Sequence, residues 1–540
     1  MSKSSQRLWL NTSCFAALFF ASFNVTAELQ YRASVLEFNG DLQQYRVADF
    51  NGDGRNDVLV VLMPSEQDPT QAQEISIYWQ AEDGGFSNRP NRIISLKKDI
   101  LSFSYGDVRS DPGDELVFFT REGAYSFSTL KESYADNIQR LISWPLAQTY
   151  RDKEGVRYIN ALQDLNGDDE LDLLLPGETH YGVFLQGNNQ FGDVRELPVS
   201  KQVSGSSGVK AELGFDMRRG LTFATNDIYS RASLVTQLNV SPLPGELQRD
   251  DEPLLVSERW QSAVMSHDID NDRQLELVYL DNPRLDEEDK NQRRLNILSD
   301  TFLHIAPKNS THSDDVFRSR VLLPSTSVVN FVDWDGDDVK ELITRDHKEA
   351  GGATLALYQQ NDAHLGAPPH QILKFSGYDV DVEFVDIDMN RSPEMLVSYY
   401  SLSAASAVRG GNMLRTLLIY ESENLDGQVK FKRRPSVKLE EKFSSDNFRG
   451  LTQRIDISED FDGDARLDAL SVDQEGALMA RKIESSLQIQ TEAYWRFVPL
   501  HAITWFQSLR LNNDQKPDLA LSHQRSLTLL VSVDDGGVNE

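Results

Sequence analysis

The stretch DFNGDGRND, Asp49 to Asp57, carries carboxylates or carboxamides at positions 1, 3, 5 and 9 of nine residues and runs straight into the apolar VLVVL of 58–62. The spacing returns in DLNGDDELD (Asp164 to Asp172), DIDNDRQLE (Asp268 to Glu276), DWDGDDVKE (Asp333 to Glu341), DIDMNRSPE (Asp386 to Glu394) and DFDGDARLD (Asp460 to Asp468). Two further copies are damaged: DVRSDPGDE (Asp107 to Glu115) and RLNNDQKPD (Arg510 to Asp518). A unit repeated along the whole chain decides the architecture before any single residue is weighed.

In a turned, roughly extended segment alternate side chains share one side, so positions 1, 3 and 5 converge. The converging sets are Asp49, Asn51 and Asp53; Asp164, Asn166 and Asp168; Asp268, Asp270 and Asp272; Asp333, Asp335 and Asp337; Asp386, Asp388 and Asn390; Asp460, Asp462 and Asp464. Position 7 varies in type (Arg55, Glu170, Gln274, Val339, Ser392, Arg466), as expected where only a backbone carbonyl is used. Position 9 is always acidic (Asp57, Asp172, Glu276, Glu341, Glu394, Asp468) and is placed to close the shell. Six or more oxygens without sulfur or imidazole suit calcium, so about six structural Ca²⁺ sites are expected. Glycine or asparagine at position 4 (Gly52, Gly167, Asn271, Gly336, Gly463) tolerates the positive φ of a chain wrapped around an ion, whereas Met389 lacks that freedom.

Charge gives a second argument. The loop at Asp333 gathers four carboxylates, Asp333, Asp335, Asp337 and Glu341. Each pair in contact costs about 1 kcal/mol in water and about 4 kcal/mol at an effective dielectric near 20. The competing reading is a set of polar turns in which Asp and Asn bond their own backbone. Position 2 is apolar in every copy (Phe50, Val108, Leu165, Ile269, Trp334, Ile387, Phe461, Leu511), which an ion does not need but a loop buried against a neighbour does. Trp334 is therefore expected in the core.

These loops resemble the FG-GAP and VCBS repeats of integrin α-subunit propellers and of many exported bacterial proteins, with the pattern D-x-[DN]-x-D-G-x-x-[DE] before a short apolar strand. The resemblance covers about residues 40 to 535. It implies an all-β fold, a single β-propeller of four-stranded antiparallel blades with calcium in its loops. One motif per blade gives eight blades, seven being the alternative, with the ring closed by pairing 29–38 with 526–533. Arg109 at position 3 of the second copy and Arg510 at position 1 of the eighth depart from the pattern, so no ion is expected there. Strands are expected near 57–62, 75–79, 92–96 and 101–105 as the meander of one blade.

The first 27 residues read as a signal peptide: Lys3 and Arg7, the apolar CFAALFFASF of 14–23, and a small-residue cleavage site at Val25-Thr26-Ala27. Residues 28–540 would then form the propeller in the periplasm or outside the cell. Cys14 is the only cysteine and lies in that leader, so no disulfide is expected beyond it. Leu10 is one place too early for a lipobox ending at Cys14. Loss of Lys3 and Arg7 takes the net charge from −30 to −32, and six Ca²⁺ would still leave about −20. Such a surface argues against nucleic acid or an anionic membrane as partner.

The interval from 164 to 268 is the longest between motifs, and 200–258 reads either as a divergent blade or as an insertion carrying a specific surface. No H-E-x-x-H pair or G-x-S-x-G elbow is present, and the nine histidines are scattered. Paired carboxylates are too common here to mark a glycosidase. Three functions stay open: a non-catalytic binding scaffold for a protein or glycan, which is preferred; a calcium-dependent polysaccharide lyase with basic residues in the central funnel; and a cell-surface adhesion or assembly component. A monomer is expected.

Overall fold

Strand Asp57–Met63 (DVLVVLM) is buried almost throughout, whereas its partner Asp41–Ala48 (DLQQYRVA) is half-buried and polar. A strand covered on both faces needs no alternation of apolar and polar residues, and a strand facing a solvent channel does. The computed structural model describes residues 30–63, 72–131, 137–146, 155–159, 161–163, 168, 170–176, 180–198, 214–216, 220–223, 235–238, 255–267, 275–282, 292–302, 317–324, 327–348, 351–361, 364–365, 368–402, 413–425, 428–443, 454–512, 514 and 516–533. The leader at 1–27 lies outside them.

The fold is all-β. Among the described residues eight sheets of three or more strands follow one another along the chain, five of them four-stranded. Neighbouring strands pair antiparallel throughout, apart from the short parallel addition Arg157–Tyr158 beside Ser102–Gly106. In the first sheet Asp41–Ala48, Asp57–Met63, Glu74–Tyr78 and Arg92–Ser95 form a meander. Strand positions agree with the expectation, but the grouping is offset by one strand. Ser102–Gly106 pairs with Glu115–Thr120 and so opens the second sheet. The acidic nonapeptide thus marks the first hairpin of a sheet, not its start.

Sequential meanders packed face to face are the arrangement of a β-propeller. Val58, Val60 and Leu62 pack with Leu36, Ala520, Leu527 and Leu529 of the chain's last sheet. Leu59 and Val61, on the opposite face of the same strand, pack with Phe103, Leu116 and Phe118 of the second sheet. The same division separates Val117 and Phe119 from Leu116 and Phe118. The last sheet takes one strand from the N-terminal side: Tyr31–Glu37 pairs with Ser526–Ser532 in unbroken register from Tyr31–Ser532 to Glu37–Ser526. That is the pairing expected between 29–38 and 526–533.

Within 200–258 the described strands Gly214–Asp216, Gly220–Phe223 and Val235–Leu238 join the sheet that contains Leu255–His267, Leu275–Asn282, Gln292–Phe302 and Phe317–Pro324. They extend the fourth sheet and form no separate one among the described residues. No helix of the described chain is long and apolar enough to cross a membrane.

Candidate metal centres

The nonapeptides at 49, 333, 386 and 460 fold the same way. The position 1 carboxylate accepts the amides of the turn ahead of it: Asp49 from Gly52 (2.7 Å), Asp53 (3.2 Å) and Gly54 (2.7 Å), and Asp460 from Gly463 (2.7 Å), Asp464 (3.2 Å) and Ala465 (2.8 Å). Asp333 accepts from Gly336 and Asp338, and Asp386 from Asn390 and Arg391. Position 5 accepts the amide two residues on, as Asp53 does from Arg55, Asp168 from Glu170, Asp337 from Val339, Asn390 from Ser392 and Asp464 from Arg466. These are the self-bonded polar turns of the competing reading, and they are present. They also preorganise the loop, because they aim the remaining oxygens at one point.

Position 9 has a role that spacing alone did not indicate. Its carboxylate accepts the amide of position 2 in six copies: Asp57 from Phe50, Glu115 from Val108, Glu341 from Trp334, Glu394 from Ile387, Asp468 from Phe461 and Asp518 from Leu511. An aspartate there also accepts an amide just past the third strand, Asp57 from Gln80 with its other oxygen and Asp172 from Gln186. Position 2 is buried beneath this clamp, with Phe50, Val108, Trp334, Ile387, Phe461 and Leu511 all in the core. Trp334 packs on Phe384 and Phe431, as a core residue should. Leu165 and Ile269 lie outside the described residues.

Backbone handedness follows from the wrap. Gly52, Gly336, Met389 and Gly463 at position 4 have φ between 56° and 77°. Position 6 is also left-handed, at Gly54, Asp338, Arg391 and Ala465. Residue type does not signal this second inversion.

The structure brings three carboxylate oxygens within 4.8 Å of one another in three loops: Asp333, Asp335 and Glu341; Asp386, Asp388 and Glu394; Asp460, Asp462 and Asp464. In the first two, buried oxygens are left over. Asp335 Oδ1, Glu341 Oε1 and Asp388 Oδ1 have no hydrogen-bond partner. Burial first, then the neighbouring carboxylates, raises Asp335 to about 6 and Glu341 to about 9. An oxygen-only donor set with unsatisfied buried carboxylates suits a hard divalent cation.

The other copies differ. In the 49 loop Arg55 Nη2 lies 2.5 Å from Asp53 Oδ2. In the 460 loop Lys482 Nζ binds Asp462 and lies 3.7 Å from Asp464. In the second copy the Arg109 guanidinium is buried among Ser126 Oγ (2.7 Å), the carbonyls of Ser126 and Asn137, and Asp111 (3.6 Å). Its positive charge lies beside the loop carboxylates Asp111 and Glu115. Arg510 of the eighth copy pairs with Glu459 at 2.8 Å. Asp164, Asn166, Asp268, Asp270, Asp272 and Gln274 lie outside the described residues, as does the side chain of Glu276.

Residues 49–118 match the family model of the FG-GAP-like repeat. This segment carries an FG-GAP-like repeat. The matched segment begins on Asp49, takes in the last three of the first sheet's four strands and ends inside Glu115–Thr120, so it runs from one acidic loop through the next. No curated protein matches the chain. Among solved structures, that of an Agrocybe aegerita lectin described as specifically recognising non-reducing terminal N-acetylglucosamine aligns over 75% of this chain and 86% of its own, at 11% identity and a TM-score of 0.31.

Away from the FG-GAP loops, first strands converge on shared space. Ser327–Val332, Tyr378–Val385, residues 454–459 and Trp505–Leu509 line a cavity of about 1100 Å³. Asp41 to Arg46 with Trp505, Gln507 and His523 line a second of about 510 Å³. Trp505 borders both and is 57% exposed. Two cationic side chains of the larger cavity are engaged: Arg345 and Arg454 both bind Asp381, and Arg454 also reaches Asp379 at 3.1 Å.

Proposed function

We propose that this chain is an exported, calcium-stabilised β-propeller that acts as a non-catalytic scaffold and presents the ends of its channel to a protein or glycan. The observation that carries the calcium reading is the pair of buried, unpartnered oxygens Asp335 Oδ1 and Glu341 Oε1 in one carboxylate cluster. A buried charged oxygen without a partner is strongly destabilising unless a counter-charge is supplied. Bound calcium supplies that charge, and this chain's part is to hold the carboxylates converged before the ion arrives.

Trp505 supports the binding reading. A large aromatic with a free face at the rim of two polar cavities suits recognition. The lyase alternative calls for a basic residue free to take a proton, and the carboxylates on Arg345 and Arg454 weigh against those two. The leader features at 1–27 support export, where calcium is available at the 10⁻⁴ to 10⁻³ M at which extracellular modules typically bind it.

The test is a thermal melt of calcium-stripped protein with and without millimolar calcium, beside a metal count by mass spectrometry. Binding to the folded state alone stabilises by mass action, about 2.7 kcal/mol at a hundredfold excess over Kd. The melting temperature should rise with calcium, and Asp335→Ala should remove one ion and part of the rise. An unchanged melt with no metal retained would overturn the calcium reading.

A further inference from the structure

The 460 loop holds four carboxylates, Asp460, Asp462, Asp464 and Asp468, yet a cation of the chain's own already sits on it. Lys482 Nζ binds Asp462, whose side chain is 6% exposed, and lies 3.7 Å from Asp464. The ammonium also faces the Tyr494 ring at 5.5 Å, and the Tyr494 hydroxyl donates to Asp468 Oδ2 at 2.8 Å.

Register explains how Lys482 arrives there. The residue after position 9 pairs across the sheet with the third strand: Leu342 with Tyr358, Met395 with Tyr420 and Ala469 with Arg481. The residue just past the end of the third strand is Gln359, Glu421 or Lys482 respectively. Two of these reach position 3 of their own loop, Gln359 Nε2 to Asp335 Oδ2 at 3.4 Å and Lys482 to Asp462. Glu421 turns to Lys432 (2.6 Å) and Ser436 instead. One register position therefore places a neutral amide, an acid and an ammonium beside three otherwise similar carboxylate clusters.

We propose that this residue at the exit of the third strand sets which loops take a divalent cation, and that Lys482 acts as a tethered cation that keeps the 460 loop from binding one. The inference rests on the calcium reading of the 333 and 386 loops. There the surplus charge stays uncompensated and buried oxygens remain unpartnered. At the 460 loop a divalent ion would have to displace the ammonium or share the carboxylates with it, and like charges at contact in a partly buried site repel strongly. Lysine suits the task because its ammonium is a compact point charge on a stem long enough to reach from the adjacent strand.

The experiment is a reciprocal exchange in the full chain, read as calcium ions per molecule by mass spectrometry after equilibration in millimolar calcium. Lys482→Gln, which copies the 333 loop, should gain one ion. Gln359→Lys, which copies the 460 loop, should lose one, and Lys482→Arg should leave the count unchanged. Melting of each stripped variant near the wild-type temperature verifies that the fold is intact. If Lys482→Gln fails to fold, loss of one ion in Gln359→Lys decides the matter alone. Wild-type calcium with a count that neither exchange alters would overturn the inference and leave the calcium reading standing. No calcium in any variant would overturn both.

Discussion

Met389 is held at φ 56° and is 52% exposed, with a side chain where three other described copies have glycine. A left-handed L-residue costs roughly 1–2 kcal/mol, which exceeds what glycine loses through its freer unfolded chain. Met389→Gly should therefore stabilise the protein by about 1 kcal/mol in denaturant titration, and a destabilised variant would show that the side chain makes a useful contact. Gly336 and Gly463 separate two effects that share this position. Their φ values are 76° and 77°, but a Cβ on Gly336 would lie 2.1 Å from the Arg391 carbonyl of the next loop, whereas one on Gly463 would meet nothing within 4 Å. Gly463→Ala should cost about 1 kcal/mol, the conformational part alone. Gly336→Ala should cost at least about 2 kcal/mol, because the adjacent loop must also move. Equal losses would show that the contact between loops contributes nothing.

At the scale of the loop and its hairpin, the carboxylate spacing was legible because period-two alternation dictates which side chains converge. The position 9 clamp was not, since the backbone amide of the loop's second residue is invisible in a pattern of side chains. Position 6 was hidden for the same reason: Gly54, Asp338, Arg391 and Ala465 share a backbone conformation and no chemistry. The one-strand offset of the first sheet arose because the nonapeptide marks a turn, and a turn does not say which sheet the following strands join. The eighth copy, with Arg510 at position 1, allows the clamp to be tested apart from the proposed ion sites. Asp518 is fully buried and accepts from the amides of Leu511 (2.5 Å), Asn512 (3.2 Å) and Ser532 (2.6 Å) and from Ser532 Oγ (2.9 Å). Asp518→Ala strands several buried donors and should cost about 3 kcal/mol or more. The loss should be the same with and without calcium, measured as a shift in denaturation midpoint. A loss that calcium repairs would assign this residue to an ion site instead.

Across the molecule the clamps add up to a dependence on protons. Burial pushes Asp57, Glu115, Glu394 and Asp468 up to about 7 and Glu341 to about 9, far above the ordinary 3.8 to 4.5 of these groups. An acid whose folded pKa lies above its unfolded value keeps its proton in the folded state, so its contribution is complete below about pH 4 and is lost as pH rises through the folded value. His523 works in the opposite direction. It is buried between the Ala502 carbonyl and the Thr528 hydroxyl, and burial holds its pKa below 6.5, so it removes stability as pH falls through that value. Burial lowers His370 in the same way, but five acids outweigh two imidazoles, and calcium-stripped protein should melt at a lower temperature at pH 8 than at pH 5. On the calcium proposal the ion would replace protons as the counter-charge, so its stabilising shift should be larger at pH 8 than at pH 5. Melts at pH 5, 6.5 and 8, with and without millimolar calcium, test both slopes. A stripped protein that melts higher at pH 8 would mean that these carboxylates are already ionised and paired in the folded chain, and the proton would then have no part in holding the empty loops.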